Sequence, residues 1–261
     1  MKLAWLMDVT EENLKLLHAA AYDGIEPFVT RQFNPEKVTV REAKALKHMV
    51  DAAGLEISAL CGLYPGELQL LSSDPLMQQR SKRYSSDLIK LASDMGISLL
   101  AFGSGGSRSL PPDVPKEEGL KRLREFVYFC GERAQEVGVR IAIEQLNRYE
   151  TNILNRLDEV VAFVRDVNSP AVGVTADLFH MNIEDADLGQ AIRNAGSLLW
   201  HIHLADSNRR PPGQGHLNLT EVMEALHQIG YEGYLSMEAN LTPDPATALA
   251  MAKRTLKAFG V

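Results

Sequence analysis

Residues 117–146, EEGLKRLREFVYFCGERAQEVGVRIAIEQL, carry the pattern that decides the fold. Over Glu117–Val137 apolar side chains recur at three- and four-residue steps, the period of an amphipathic helix. Gly138 then stands where a helix usually ends in a left-handed residue. Arg140–Leu146 follows as a short apolar run with branched side chains, which suits a strand covered on both faces.

The same unit repeats in both directions. The strand candidates are Lys2–Met7, Gly24–Val29, Glu56–Cys61, Ile97–Phe102, Arg140–Leu146, Val172–Asp177, Trp200–Ala205 and Tyr234–Ala239. Helical periodicity fills Glu11–Tyr22, Arg41–Ala53 and Met77–Met95 as well. Gly24, Gly54, Gly96, Gly138 and Gly230 each sit between a helical stretch and a strand. Asp8, Thr10 and Glu11, and later Pro243-Asp244-Pro245, read as helix starts. Eight alternations in 261 residues, with no linker-like stretch, predict one (β/α)₈ barrel domain spanning residues 1–261. A doubly wound sheet would show fewer repeats and a glycine fingerprint after its first strand. That turn reads Asp8-Val-Thr-Glu-Glu12 and has no glycine.

Acidic residues number 34 and basic ones 27, a formal charge of −7, which argues against a nucleic-acid partner. Cys61 and Cys130 are too few for a disulfide framework and point to a reducing compartment. The opening Met1-Lys-Leu-Ala-Trp-Leu-Met-Asp8 reaches an acid too soon for a signal-peptide core. No apolar run approaches the ~18 residues of a membrane span, so a cytoplasmic protein is expected.

Barrel chemistry sits at the C-terminal ends of the strands. The second strand contains Glu26, the fifth reaches Glu144, the sixth Asp177, the seventh His201 and His203, and the eighth Glu238. An unpaired buried carboxylate costs several kcal/mol, and one divalent cation would relieve several at once. Glu144, Asp177, His203 and Glu238 come from four consecutive strands and therefore neighbour one another on the rim. Three carboxylates and one imidazole suit Mn²⁺ or Mg²⁺, with Co²⁺ tolerated, and no thiolate selects zinc. Taken singly, each acid could equally cap a helix or pair with an arginine.

Four stretches together, Glu144–Glu150 (EQLNRYE), Asp177–Asn182 (DLFHMN), His203–Gly215 (HLADSNRRPPGQG) and Tyr231–Glu238 (YEGYLSME), resemble the ketose 3-epimerases. These belong to the xylose-isomerase-like TIM-barrel superfamily and include the D-tagatose and D-psicose 3-epimerases. The resemblance is close over residues 140–240 and at fold level over the N-terminal half. It implies that Glu144, Asp177, His203 and Glu238 are the metal ligands, Mn²⁺ foremost, with Glu144 and Glu238 doubling as the acid–base pair. It places Glu150, His180 and Arg209 at substrate-binding positions. It also implies a small sugar as substrate, epimerised at C3 through an enediolate, and a homo-oligomer, dimer or tetramer. A base on one face of C3 and an acid on the other suffice once a cation stabilises the enediolate, so no redox cofactor is expected.

Other signals stand with two readings each. Phe102-Gly-Ser-Gly-Gly-Ser-Arg108 either cradles a phosphate, with Arg108 as cation, or is a plain turn lacking the P-loop lysine. Glu26 either touches substrate or braces the site. His201, two residues before His203 on one strand face, reads as a hydrogen-bonded residue one layer deeper. Cys61 lines the pocket without an evident base to activate it. His216 belongs to surface, lid or site, and His18, His48 and His227 read as bland helix residues.

Within the superfamily, hydroxypyruvate isomerase, inosose dehydratase or isomerase, and ketose-phosphate epimerase are the rival outcomes; the run Arg209-Arg210-Pro-Pro-Gly-Gln-Gly215 favours the ketose 3-epimerase branch. An endonuclease-IV-type AP endonuclease is the remote rival. Such enzymes resemble this chain at Glu144, Asp177, His180, His203 and Glu238. They carry additional zinc-binding histidines where this chain has Cys61, Gly103-Ser104 and Gln214-Gly215-His216.

Overall fold

The computed structural model describes residues 1–112 and 114–261. Its strands are β1 (Lys2–Leu6), β2 (Gly24–Glu26), β3 (Glu56–Ile57), β4 (Leu99–Phe102), β5 (Arg140–Glu144), β6 (Val172–Asp177), β7 (Leu199–Leu204) and β8 (Tyr234–Met237). The helices are α1 (Glu11–Ala19), α2 (Val40–Ala52), α3 (Pro75–Asp94), α4 (Gly105–Arg108) and α5 (Lys116–Glu136). They continue as α6 (Leu157–Val167), α7 (Leu178–Glu184), α8 (Leu188–Ala195), α9 (Leu219–Gln228) and α10 (Pro245–Lys257).

All strand pairs are parallel, in the order β3-β2-β1-β8-β7-β6-β5-β4. An isolated parallel bridge between Leu60 and Leu100 joins the two ends. There Leu60 N donates to Leu99 O at 3.0 Å and Ala101 N to Leu60 O at 2.8 Å. Eight parallel strands closed on themselves and wrapped in helices are the expected (β/α)₈ barrel.

The second and third strands are shorter than their apolar runs predict. Pro27 follows Glu26 and has no N–H to give the ladder, so regular pairing stops there. It resumes briefly where Val29 N donates to Cys61 O at 2.8 Å. The helix starts fall as read: Thr10 Oγ1 accepts from Asn13 N, and Asp244 accepts from Thr247 N with Pro245 in the first turn.

Gly54, Gly96, Gly138 and Gly230 end helices with φ between +67° and +73°. Gly24 does not. The left-handed residue at that joint is Ala21, with φ +52°, and Gly24 opens β2. A Cβ on Gly24 would lie 2.7 Å from Glu56 O and 3.1 Å from the Tyr234 ring, so crowding between strands, not helix ending, requires glycine there.

The apolar core has two parts. The larger lies between strands and helices and includes Leu17, Leu88, Val127, Val164, Ile192, Leu226 and Leu249. The smaller holds only Leu6, Ala59, Cys61, Leu99, Ala101 and Ala142, flanked by Phe28 and Trp200. Strand alternation puts Ala142 on the same face as Glu144, so this smaller cluster lies inside the barrel. The interior is otherwise polar, filled by Glu26, Thr175, Asp177, His201, His203 and Ser236. A barrel usually fills its centre with branched aliphatics, and the polar substitution marks where chemistry has replaced packing.

Eight outer helices were expected, and two short extra ones, α4 and α7, follow β4 and β6 on the C-terminal rim. The α7 turn ends at Asp185, whose two carboxylate oxygens accept from Leu157 N at the start of α6, at 3.3 and 3.4 Å. Burial pushes Asp185 up to about 7, against the pull of the Leu157 N–H. The unfolded chain releases that proton near ~3.9, so the folded form holds it more tightly. The resulting stability is therefore full below about pH 4 and lost as pH rises through 7. Asp185→Asn keeps an acceptor for Leu157 without the charge. It is expected to gain about 2 kcal/mol over wild type at pH 8 and little at pH 4, after discounting for residual solvent contact. Melting curves at the two pH values check this, and equal melting temperatures at pH 8 would refute it.

Candidate metal and acid–base site

Asp177 closes β6 and begins α7 as its cap, accepting from Phe179 N at 2.7 Å and His180 N at 3.0 Å through Oδ1. That cap leaves Oδ2 facing the barrel axis side, where Arg209 Nη1 donates to it at 2.7 Å. The other end of the same guanidinium, Nη2, reaches Glu238 Oε1 at 2.8 Å. Burial opposes the charge on Asp177, but Arg209, with His180 and other neighbours adding to it, holds this carboxyl well below the usual carboxylate range. Glu238, one residue beyond β8, moves the other way, raised by burial against the pull of Arg209 and His203. Two acids of one cluster are thus driven apart by their surroundings.

His203 is buried between three carboxylates. Its Nδ1 lies 2.8 Å from Glu144 Oε1 and 3.0 Å from Glu238 Oε2, and its Nε2 lies 2.9 Å from Glu26 Oε1. The second oxygen of Glu26 meets His201 Nε2 at 2.8 Å. Glu26 is fully buried, and burial raises it, yet the two histidines hold it well below the usual range. As a carboxylate it accepts from both rings, which places the neutral-form proton of His203 on Nε2. Against burial, Glu144 and Glu26 hold His203 well above the usual imidazole range; in the neutral form its Nδ1 would be a lone pair facing two carboxylate oxygens. That contact is repulsive unless a cation or an added proton lies between them.

The donor set fits a divalent cation on these grounds. One atom each from Glu144, Asp177, His203 and Glu238 lie within 4.8 Å of one another. Oxygen donors with a single nitrogen match a hard or borderline ion such as Mn²⁺ or Mg²⁺.

Beside this cluster, His180 Nδ1 lies 2.7 Å from Asn147 Nδ2, an amide that only donates. His180 Nδ1 therefore accepts, and its Nε2 carries the proton, 3.9 Å from Asp177 Oδ2. Asn147 Nδ2 also donates to Glu150 Oε1 at 3.1 Å, and Glu150 lies 3.8 Å from His180. Arg209 packs its guanidinium over the Phe179 ring at 4.6 Å, and its backbone takes a left-handed φ of +59° in the turn closed by Arg209 N to Asp206 O. Asp206 pins that loop by accepting from Ser207, Gly213 and Leu217 N. All seven residues singled out in the sequence, Glu144, Asp177, His203, Glu238, Glu150, His180 and Arg209, come together at one end of the barrel.

The open readings resolve unevenly. Glu26 braces: it joins His201 to His203 from within the barrel. His201 is the buried, hydrogen-bonded residue expected. Cys61 is buried with its thiol toward Pro27 O, and burial together with the neighbouring Glu26 pushes that thiol up, so it lacks thiolate character. Residues 105–108 form α4, and Arg108 turns fully inward rather than toward solvent. His216 sits on the surface with Nδ1 3.0 Å from Ser207 Oγ. His18, His48 and His227 are exposed on helices.

Sequence reading missed Asn147, Gln145 and Gly103. Gln145 Nε2 ties β5 to β6 by donating to Asp177 O at 2.8 Å. Gly103 has no side chain because a Cβ there would lie 2.3 Å from Glu144 Oε2. Gln145 and Asn147 flank Leu146 immediately after Glu144, a position that hinted at them; nothing local hinted at Gly103.

A closed parallel barrel with a cluster of acids and a histidine at the strand ends defines a TIM-barrel class with a candidate metal site. The chain belongs to the xylose isomerase-like TIM barrel family, whose sequence profile matches residues 14–258. It is 36% identical to the D-psicose 3-epimerase of Ruminiclostridium cellulolyticum over 204 residues, covering 77% of this chain and 68% of the relative. It is 37% identical to the L-ribulose 3-epimerase of Methylomonas sp. strain DH-1 over 236 residues, covering 86% and 77%. The solved D-psicose 3-epimerase with D-tagatose from Clostridium cellulolyticum H10 superposes with a TM-score of 0.83 at 27% identity, over 95% of this chain and 89% of that one. An AP endonuclease, family 2, from Brucella melitensis shares the fold at 19% identity with a TM-score of 0.82, a likeness of fold alone. These relatives place the chain among ketose 3-epimerase-like enzymes of the isomerase class.

Proposed function

We propose that this enzyme is a divalent-metal-dependent ketose 3-epimerase, with Glu144, Asp177, His203 and Glu238 as metal ligands. The observation that carries the reading is the position of His203 Nδ1, 2.8 Å from Glu144 Oε1 and 3.0 Å from Glu238 Oε2, where only a cation or an added proton makes the contact favourable. Mn²⁺ is the ion favoured by resemblance, and the oxygen-rich donor set agrees with it. When bound, the cation supplies Lewis-acid polarisation of the sugar carbonyl, which acidifies the adjacent C–H.

The remaining work falls to side chains. One of Glu144 and Glu238 takes the C3 proton as its carboxylate; the other, protonated, delivers a proton to the opposite face of C3. The electron pair left by the first proton is reclaimed when the second arrives, so atoms and charge balance without a redox partner. Their carboxylates converge on one imidazole nitrogen from β5 and from the end of β8. The Nε2–H of His180, the free oxygen of Glu150 and the Arg209 guanidinium are assigned to sugar hydroxyls, with Asn147 fixing the tautomer of His180. Hydroxyl groups on a free ketose, which both donate and accept, match this mixed set of donors and an acceptor, and the inward turn of Arg108 removes the cation that a phosphate in the 103–108 loop would need.

The test is product analysis on a panel of ketoses and ketose phosphates, using protein stripped with EDTA and then reloaded with Mn²⁺. C3 epimers that form only after reloading are expected, with free ketoses preferred. Isomers differing at another carbon, or no product, would overturn the assignment.

Gly103→Ala follows from the same geometry. Its Cβ must push Glu144 aside, and displacements of about 1 Å at an acid–base group cost roughly 10²-fold in rate. Activity is expected to fall by that order while the melting temperature stays near that of wild type. A fully active alanine variant would show that Glu144 does not act from this position.

A further inference from the structure

Arg108 is left unexplained by the chemistry above. It is completely buried, yet its guanidinium makes one hydrogen bond, Nη1 to Phe102 O at 3.2 Å. Nε and Nη2 have no partner, and among the described residues no carboxylate pairs with it. A buried cation in that state costs several kcal/mol, more than its packing near the Phe102 ring returns. Burial lowers it to about 10, so it is still a cation at neutral pH, and the nearby Glu144 offsets part of that lowering. Its chain segment touches that acid as well. Gly103, next to the carbonyl that Arg108 holds, abuts Glu144 Oε2.

The charges of the interior explain why such a cation is kept. Glu26, Glu144, Asp177 and Glu238 bring four carboxyl groups into the barrel mouth, with the Arg209 guanidinium between two of them and that of Arg108 buried behind the loop that abuts Glu144. We propose that Arg108 is a positioning residue, a buried counter-charge that acts through Glu144 and sets how tightly the cluster holds a divalent cation. The inference rests on the metal site assigned above and adds to it a residue outside the ligand set.

The sign of the effect separates this role from a structural one. Damage to the loop would weaken metal binding, whereas removal of a neighbouring positive charge strengthens it. Mn²⁺ binding is measured calorimetrically at neutral pH for wild type, Arg108→Met, Arg108→Gln and Arg108→Lys, with circular dichroism as the check of folding. The neutral variants are expected to bind Mn²⁺ on the order of tenfold more tightly, and Arg108→Lys to stay near wild type. If Arg108→Met does not fold, Arg108→Gln, which can still donate to Phe102 O, carries the comparison. Neutral variants that bind as wild type or more weakly would overturn the inference, as would a lysine variant that shifts like methionine. Wild type that binds no Mn²⁺ would instead remove the metal site itself, and the inference with it.

Discussion

Glu238→Gln is expected to leave the barrel folded and to lower ketose epimerisation by roughly 10²–10⁴-fold, the range for losing a positioned proton-transfer group. The amide keeps its oxygen toward Arg209 and turns its NH₂ toward His203 Nδ1, so the shape of the cluster changes little, but it neither gives nor takes a proton at C3. Part of the loss will come through the metal, since Glu238 Oε2 is also a donor 3.0 Å from His203 Nδ1. Assaying at saturating Mn²⁺ separates the two contributions. A glutamine variant with near wild-type turnover under those conditions would remove Glu238 from the proton-transfer pair.

Glu26→Gln should act entirely through the metal. Glu26 accepts from two imidazoles, and glutamine offers one oxygen and one amide group in the same space. Whichever ring meets the amide must present a lone pair there and move its proton to the other nitrogen. If that ring is His203, the proton lands on Nδ1, where the cation is to be held. A lost carboxylate partner behind a ligating histidine typically costs 10–100-fold in metal affinity. That loss is the expected result in a calorimetric titration with Mn²⁺. Unchanged affinity would show that Glu26 does not set the tautomer of His203.

The barrel was legible because each of its units is local. A run such as Arg140–Leu146 and the glycine before it declare a strand and a turn within ten residues. Rim acids were legible for a related reason: Glu144, Asp177 and Glu238 interrupt runs that are otherwise apolar. Gly24 was misread because its constraint is not local. The crowding comes from Glu56 and Tyr234, on the two strands that approach it, and sequence adjacency to a helix imitated the commoner cause.

Glu26 shows the same limit at the site. Its partners lie 175 and 177 residues away across the barrel, so sequence offered an acid in a strand and no means to choose between bracing and binding. Asn147 could be seen in EQLNRYE, but its job, fixing the proton of His180, depends on a 2.7 Å contact between different strand ends. Arg108 was visible as a cation in a glycine-rich loop, where solvent exposure and hence anion binding is the usual outcome. Its complete burial reverses that expectation and is a property of how α4 folds back onto the fourth strand.

The most direct test of the account is proton NMR in D₂O with Mn²⁺, following the C3 hydrogen signal of a free ketose with Glu238→Gln as control. The account predicts metal-dependent loss of that signal with wild type and none with the variant. Exchange at C1 or another carbon, or exchange that survives metal removal, would contradict it.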